Sequence, residues 1–177
     1  MTDPRSKLSY IFWGLLLTIL DVEINGFDVL PDFIGYLCIF VGCSGLLIFS
    51  KQFLITKNVA FILTLLAVGS YFLSLNFSQT YGYIYLATDV AMVWFLLGGI
   101  IDVSQKEGNL TISRKASSRR IGYCVLMCLV ASSSTVWHFA PNMIAYWSIA
   151  LVISTLLVLF FILKLIHSLK YELLFRS

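Results

Sequence analysis

Five carboxylates in this 177-residue chain have no lysine or arginine near them in sequence: Asp21, Glu23, Asp28, Asp32 and Asp89. A charged side chain at the centre of a membrane helix costs about 2.5–3.5 kcal/mol on insertion scales, and those that persist mark ion, proton or substrate pathways. Gathered at one level, these five acids would make a vestibule for a cation, a proton or an amine. For Asp28 and Asp32 a structural role stands beside that one. They flank Leu30-Pro31; proline suits the first turn of a helix, and carboxylates there favour the positive end of its dipole. With Asn25, they could therefore simply start a helix. Asp21 and Glu23 reach headgroup water if the preceding helix ends early. Asp89 has neither outlet, since it follows Thr88 roughly two turns inside an apolar run. It must face other helices, hold a proton or bind something cationic.

Further reactive residue types point less far. Ser132-Ser133-Ser134-Thr135 precedes Trp137 and His138, and small hydroxyl residues allow close helix packing with hydrogen bonds across the interface. Ser134 and His138, four apart, share a helical face. That pairing invites an intramembrane hydrolase reading, although no Gly-x-Ser-x-Gly stretch accompanies it. His138 is also a candidate neighbour of Asp89 or Asp21 in sharing a proton. Cys124 and Cys128 share a face too, and Cys38 and Cys43 lie in another apolar run. Cysteine is an ordinary small apolar residue in such helices, and none of the spacings is that of a zinc site. Nucleotide-binding loops and His-Glu-x-x-His motifs are absent from the sequence. No metal and no cofactor is expected, and an enzymatic role is the weakest of the readings.

The elements that must position these residues are membrane helices. The chain is 59% hydrophobic and 12% charged, with mean hydropathy +0.91. A soluble domain is about 45–50% apolar and about 25% charged, and a 20.0 kDa protein has too much surface to hide such an excess in a core. A soluble enzyme, a disordered chain and a disulfide-stapled secreted domain are all excluded. Six runs reach the roughly 20 apolar residues that a spanning helix needs, at about 8–24, 29–49, 53–75, 83–101, 121–139 and 143–166. No small-residue cleavage pattern follows the first, so it is expected to be a retained span. The stretch 102–120, rich in Gly, Ser, Asn, Lys and Arg, is expected to be a mobile cytoplasmic loop.

All twelve Lys and Arg fall before the first run, between the second and third or in the opening turns of the third (Lys57), between the fourth and fifth, or at the end of the sixth. The three alternate loops carry none. Because basic residues collect in cytoplasmic loops, six spans with both termini inside is the expected topology. The formal charge of +3 then reflects insertion rather than nucleic-acid binding, which needs a clustered basic face. Tyr81, Tyr83, Tyr85, Trp137 and Trp147 are expected in an outer aromatic belt, and Tyr10, Trp13, Tyr123 and Tyr171 in an inner one. Gly35, Gly42 and Gly45 form a small-residue stripe suited to helix packing.

The stretch Gly26-Phe-Asp-Val-Leu-Pro-Asp-Phe-Ile-Gly-Tyr36 resembles a motif of uncharacterised small bacterial multi-pass membrane proteins, a likeness that covers the first two runs and implies no activity. In architecture the chain is similar to the substrate-binding S-components of energy-coupling-factor vitamin transporters. That resemblance implies capture of a small solute from outside. The Ala-x-x-x-Ala docking motif of that group does not occur in Ile11-Phe-Trp-Gly-Leu-Leu-Leu-Thr-Ile-Leu20.

These residues predict one all-α, six-helix integral membrane domain in a bacterial cytoplasmic membrane. The expected role is small-solute or cation binding and transport through an outward-facing carboxylate cluster. Asp89 is its centre, and Asp21, Asp28, Asp32 and His138 are the candidate neighbours. The alternative is an accessory, regulatory or immunity-type protein acting through helix contacts. Its partners would be the bilayer, a small cation or proton, and in the alternative case another membrane protein; nucleic acid is not among them.

Overall fold

The computed structural model describes residues 4–19, 23–24, 27–28, 32–73, 79–139 and 144–172, with side chains described except at 23–24, 27–28, 70–73, 79, 133–139, 144–145 and 172. Six helices carry the described residues: α1 (Pro4–Ile19), α2 (Asp32–Ser44), α3 (Lys51–Leu73), α4 (Gln79–Lys106), α5 (Leu110–Phe139) and α6 (Ile144–Glu172). Between α1 and α2 lie two short strands, β1 (Glu23–Ile24) and β2 (Phe27–Asp28). They pair antiparallel, Glu23 opposite Asp28 and Ile24 opposite Phe27.

Among the described residues three stretches are long and apolar enough to cross a membrane: Lys51–Gly69, Thr80–Lys106 and Tyr146–Tyr171. The remaining helices differ from the predicted runs for local reasons. α2 has only 13 residues, because after Ser44 the chain tightens into turns. Gly45, Leu46 and Phe49 there donate to the carbonyls of Gly42, Cys43 and Leu46, each three residues back. α3 then starts on a side-chain cap, with the Gln52 amide donating to Ser50 Oγ at 3.1 Å. α5 carries Arg114, Lys115, Arg119 and Arg120 in its first three turns.

The stretch 102–120 is not a loop. α4 runs on to Lys106 and α5 begins at Leu110, so 102–120 is the tip of a helical hairpin. Gly108, at φ 72°, ends α4 in the left-handed conformation that glycine adopts freely, and the Asn109 amide returns to the Ser104 carbonyl at 2.8 Å. Asn109 Oδ1 then accepts from the Ile112 amide at 3.1 Å and caps α5. The polar composition hid a buried stripe, Val103 on one arm and Ile112 and Ala116 on the other.

Packing follows chain order. Each helix lies against its predecessor and its successor, and α6 returns to α1, which closes the six into a ring. Among the described residues no helices across the ring approach one another at backbone level. The interior is filled by side chains, among them Ile11, Ile39, Leu63, Leu96, Ile100 and Ile162. Apolar residues also cover the outside, as with Ile149, Val152, Ile153, Leu156 and Phe160 on α6 and Leu54, Ile62 and Leu65 on α3. Water does not favour such an exterior, whereas lipid does. This is a membrane protein.

The glycine stripe packs closely against α1. A Cβ on Gly35 would lie 2.8 Å from the Gly14 carbonyl oxygen, and one on Gly42 would lie 2.8 Å from that of Lys7. The stripe is thus occupied by α1 within the chain. Gly35→Ala and Gly42→Ala should each lower the stability of the purified protein by about 1–3 kcal/mol, because backbone must move to admit the methyl group. Gly69→Ala and Gly122→Ala meet nothing within 4 Å and should leave it unchanged or slightly raised. Thermal unfolding in one detergent compares all four.

Candidate functional site

Asp32 opens α2, and Tyr36 follows one turn later on the same face; Tyr85 and Asp89 stand at the same spacing on α4. The two pairs interleave across the ring. Tyr85 Oη lies 3.2 Å from Asp32 Oδ2 and 3.0 Å from Tyr36 Oη. Tyr36 donates in turn to Asp89 Oδ1 at 3.3 Å. From α5, the Tyr123 hydroxyl donates to Asp89 Oδ2 at 2.5 Å. Two carboxylates and three phenols from three helices thus form one continuous network.

The network lines a cavity of about 330 Å³ inside the ring. α1 contributes Leu15, Thr18 and Ile19; α4 adds Leu86 and Val93, α5 adds Met127, and α6 adds Thr155 and Leu159. Among the described residues, no lysine or arginine lines it. Tyr36 and Tyr123 are buried at 3% and 2% exposure; Asp32, Tyr85 and Asp89 keep partial exposure. The Tyr36 and Tyr85 rings meet edge to face at 6.1 Å between centroids, and Tyr81 stacks on Tyr85 at 6.4 Å. A cationic group here would meet two acids and aromatic faces, and attraction to a ring face adds about 0.5–2 kcal/mol.

Asp89 lies ten residues beyond the start of α4, about 15 Å along its axis. The figure exceeds two turns only because α4 begins four residues before the predicted run; from Tyr83 the distance is still six residues. Asp32, which sequence alone could have assigned to capping, lines the same cavity. Asp21 lies outside the described residues, as do the side chains of Asp28, Ser134 and His138. Asp28 pairs through its backbone in β2, and Ser134 and His138 belong to α5. All four cysteines are free thiols, and among the described residues no three His, Cys, Asp or Glu side chains are grouped to hold a metal.

Two residues expected as interfacial anchors belong to the site instead. Tyr85 points into the cavity, and Tyr123 is buried against Asp89. A buried phenol needs a hydrogen-bond partner, and Asp89 supplies it. The signal for the site was the four-residue spacing of acid and tyrosine in both Asp32/Tyr36 and Tyr85/Asp89; nothing local pointed to Tyr123.

The opposite end of the ring holds a separate polar layer. Ser50 donates to Asp102 Oδ2 at 2.5 Å, Lys106 Nζ donates to the Phe49 carbonyl at 2.6 Å, and the Arg120 guanidinium stacks 3.6 Å from the Trp94 ring. These contacts tie α4 to the segment before α3 and to α5; Lys106 and Asp102 stand at the end of α4 away from the cavity, whereas Arg120 lies within one turn of the cavity-lining Tyr123.

No family model matches the chain, and neither does any curated protein or solved structure.

Because the Tyr123 hydroxyl holds Asp89, Tyr123→Phe should destabilise the protein by about 1–3 kcal/mol, since it removes a donor from a carboxylate inside the bundle. In an Asp89→Asn background the same substitution should cost less. A double-mutant cycle of thermal unfolding measures the coupling, and additive effects would refute it.

Proposed function

We propose that this chain is a six-span protein of a bacterial cytoplasmic membrane, with both termini inside, that binds a small cationic solute in its axial cavity for uptake or exchange. The observation that carries this reading is the cavity wall, which among the described residues has two carboxylates and three phenols but no basic side chain. A carboxylate in such surroundings is a functional residue by default. Asp89 is the central ligand and Asp32 the second acid. Tyr36, Tyr85 and Tyr123 hold the carboxylates in place and offer ring faces. A pocket of about 330 Å³ is at the small end of the range for ligand sites, about 300–1,000 Å³, and suits a compact amine or a hydrated metal cation rather than a peptide.

The topology rests on charge placement. The twelve basic residues lie at loops and ends on one predicted side, and helix ends that bear them meet in the fold. The Lys7 side chain lies where a Cβ on Gly45 would stand, and Lys106 reaches back to Phe49. The cavity lining includes Asp32 and Gly82 from the first turns of α2 and α4, the helix ends that this topology would put on the outer side.

Binding is read by thermal stabilisation of the purified protein against a panel of alkali cations and small tetraalkylammonium ions. At saturating concentration, at least one should raise the midpoint, and Asp89→Asn should abolish the shift while the protein still inserts and purifies. A ligand at one hundred times its Kd stabilises by about 2.7 kcal/mol, well within detection. A panel without any shift, or an Asp89→Asn variant that responds like wild type, would overturn the assignment. Alkaline phosphatase inserted after Asn76 should be active and a fusion after Arg120 inactive; the reverse pattern would invert the topology.

A further inference from the structure

The hydrogen bonds in the cavity do not balance when both carboxylates are ionised. Four contacts run in series: Asp32 to Tyr85, Tyr85 to Tyr36, Tyr36 to Asp89, and Asp89 to Tyr123. Each requires one proton between its two oxygens, and the three phenols supply only three. Tyr85 shows the shortfall directly, because its hydroxyl is within bonding distance of both Asp32 Oδ2 and Tyr36 Oη but has one proton to give. One additional proton, on either acid, satisfies every contact.

We propose that Asp32, Tyr85, Tyr36 and Asp89 form a proton relay that holds one exchangeable proton between the two carboxyl groups. With the proton on Asp32, its O–H donates to Tyr85 Oη, Tyr85 donates to Tyr36 Oη, and Tyr36 donates to Asp89 Oδ1. Transfer breaks the Asp32 O–H bond and forms one at Tyr85. The former Tyr85 proton moves to Tyr36, and the former Tyr36 proton to Asp89 Oδ1. All four contacts survive with their directions reversed along the chain, except that Tyr123 donates to Asp89 Oδ2 throughout. One proton has moved inward and one negative charge outward, and the total charge is unchanged.

Beyond the network itself, few polar side chains line the cavity among the described residues. Among the described residues, the groups facing it are Asp32 and Tyr36 from α2, Tyr85 and Asp89 from α4 and Tyr123 from α5; α1 and α6 offer only the hydroxyls of Thr18 and Thr155. Two ionised carboxylates joined by one network repel one another, so the shared proton also removes a repulsion. The relay does not rest on the cation assignment. It is the device by which a site of this kind would alternate between charged and neutral at its deep end.

The test is infrared difference spectroscopy of the full chain in lipid nanodiscs, driven by pH steps in buffer without added ligand. Relative to an Asp32→Asn/Asp89→Asn double variant, wild type should show one protonated carboxyl group per chain near neutral pH. Its titration should be accompanied by changes in tyrosine C–O bands. Tyr85→Phe keeps the ring but removes the link, and should make the two carboxyl groups titrate separately while the coupled tyrosine change disappears. Tyr81→Phe, whose ring stacks on Tyr85 but whose hydroxyl donates to the Leu66 carbonyl, should match wild type. Zero or two protons on the pair, or a Tyr85→Phe spectrum identical to wild type, overturns the relay. Because no cation is bound in these measurements, their outcome is independent of the binding screen.

Discussion

A single acid inside an apolar bundle constrains everything around it. Asp89 sits ten residues into α4, in a chain whose exterior and interior are both apolar. An ionised carboxylate with no partners would be intolerable there. Among the described residues the chain meets the demand without a basic side chain, by aiming phenols from α2 and α5 at the two carboxyl oxygens. That choice ties three of the six helices to one point on the ring's interior. It also keeps the site negative, since a lysine or arginine partner would have neutralised it.

The remaining geometry makes room for that arrangement. The backbones of α1 and α2 approach closely where Gly14 meets Gly35 and Gly42 meets Lys7. Asp32 and Tyr36 lie on an adjacent stripe of α2, roughly 60–100° round the helix from Gly35, so the face that packs closely and the face that carries chemistry do not compete. Large side chains fill the ring from Phe53, Met92, Leu96 and Ile100 toward the polar layer of Ser50 and Asp102. The cavity is left at the other end, where tyrosines and acids replace aliphatic residues. The Ser50–Asp102 layer and the Asp32–Asp89 network use separate sets of charges.

Much of this was legible in the chain, but unevenly. Asp89 announced itself because a lone acid deep in an apolar run can be neither a helix cap nor a solvated flank, and the glycine stripe marked a packing face that α1 does occupy. The segment 102–120 misled by composition: Gly108 and Asn109 are turn and cap residues, and the lysines and arginines around them decorate helices rather than a loop. Tyr85 and Tyr123 misled in the opposite sense. Tyrosine near the end of an apolar run fits an interfacial belt as well as a buried partner, and only the neighbours on other helices separate the two cases.

The amino-acid sequence by itself determined the solvent and the charge layout. An apolar fraction of 59% with every basic residue confined to alternate segments admits a membrane bundle and little else, because burial in lipid is the only way to satisfy so much hydrocarbon. Which acids meet was decided by the tertiary structure alone. Asp32 and Asp89 are 57 residues apart in number and come into one network because the ring brings α2 and α4 to the wall of the same cavity. Tyr123 completes it from a third helix. Local pattern encodes which face of a helix is polar, but the partner of that face is set by ring closure, and ring closure depends on how six surfaces fit at once.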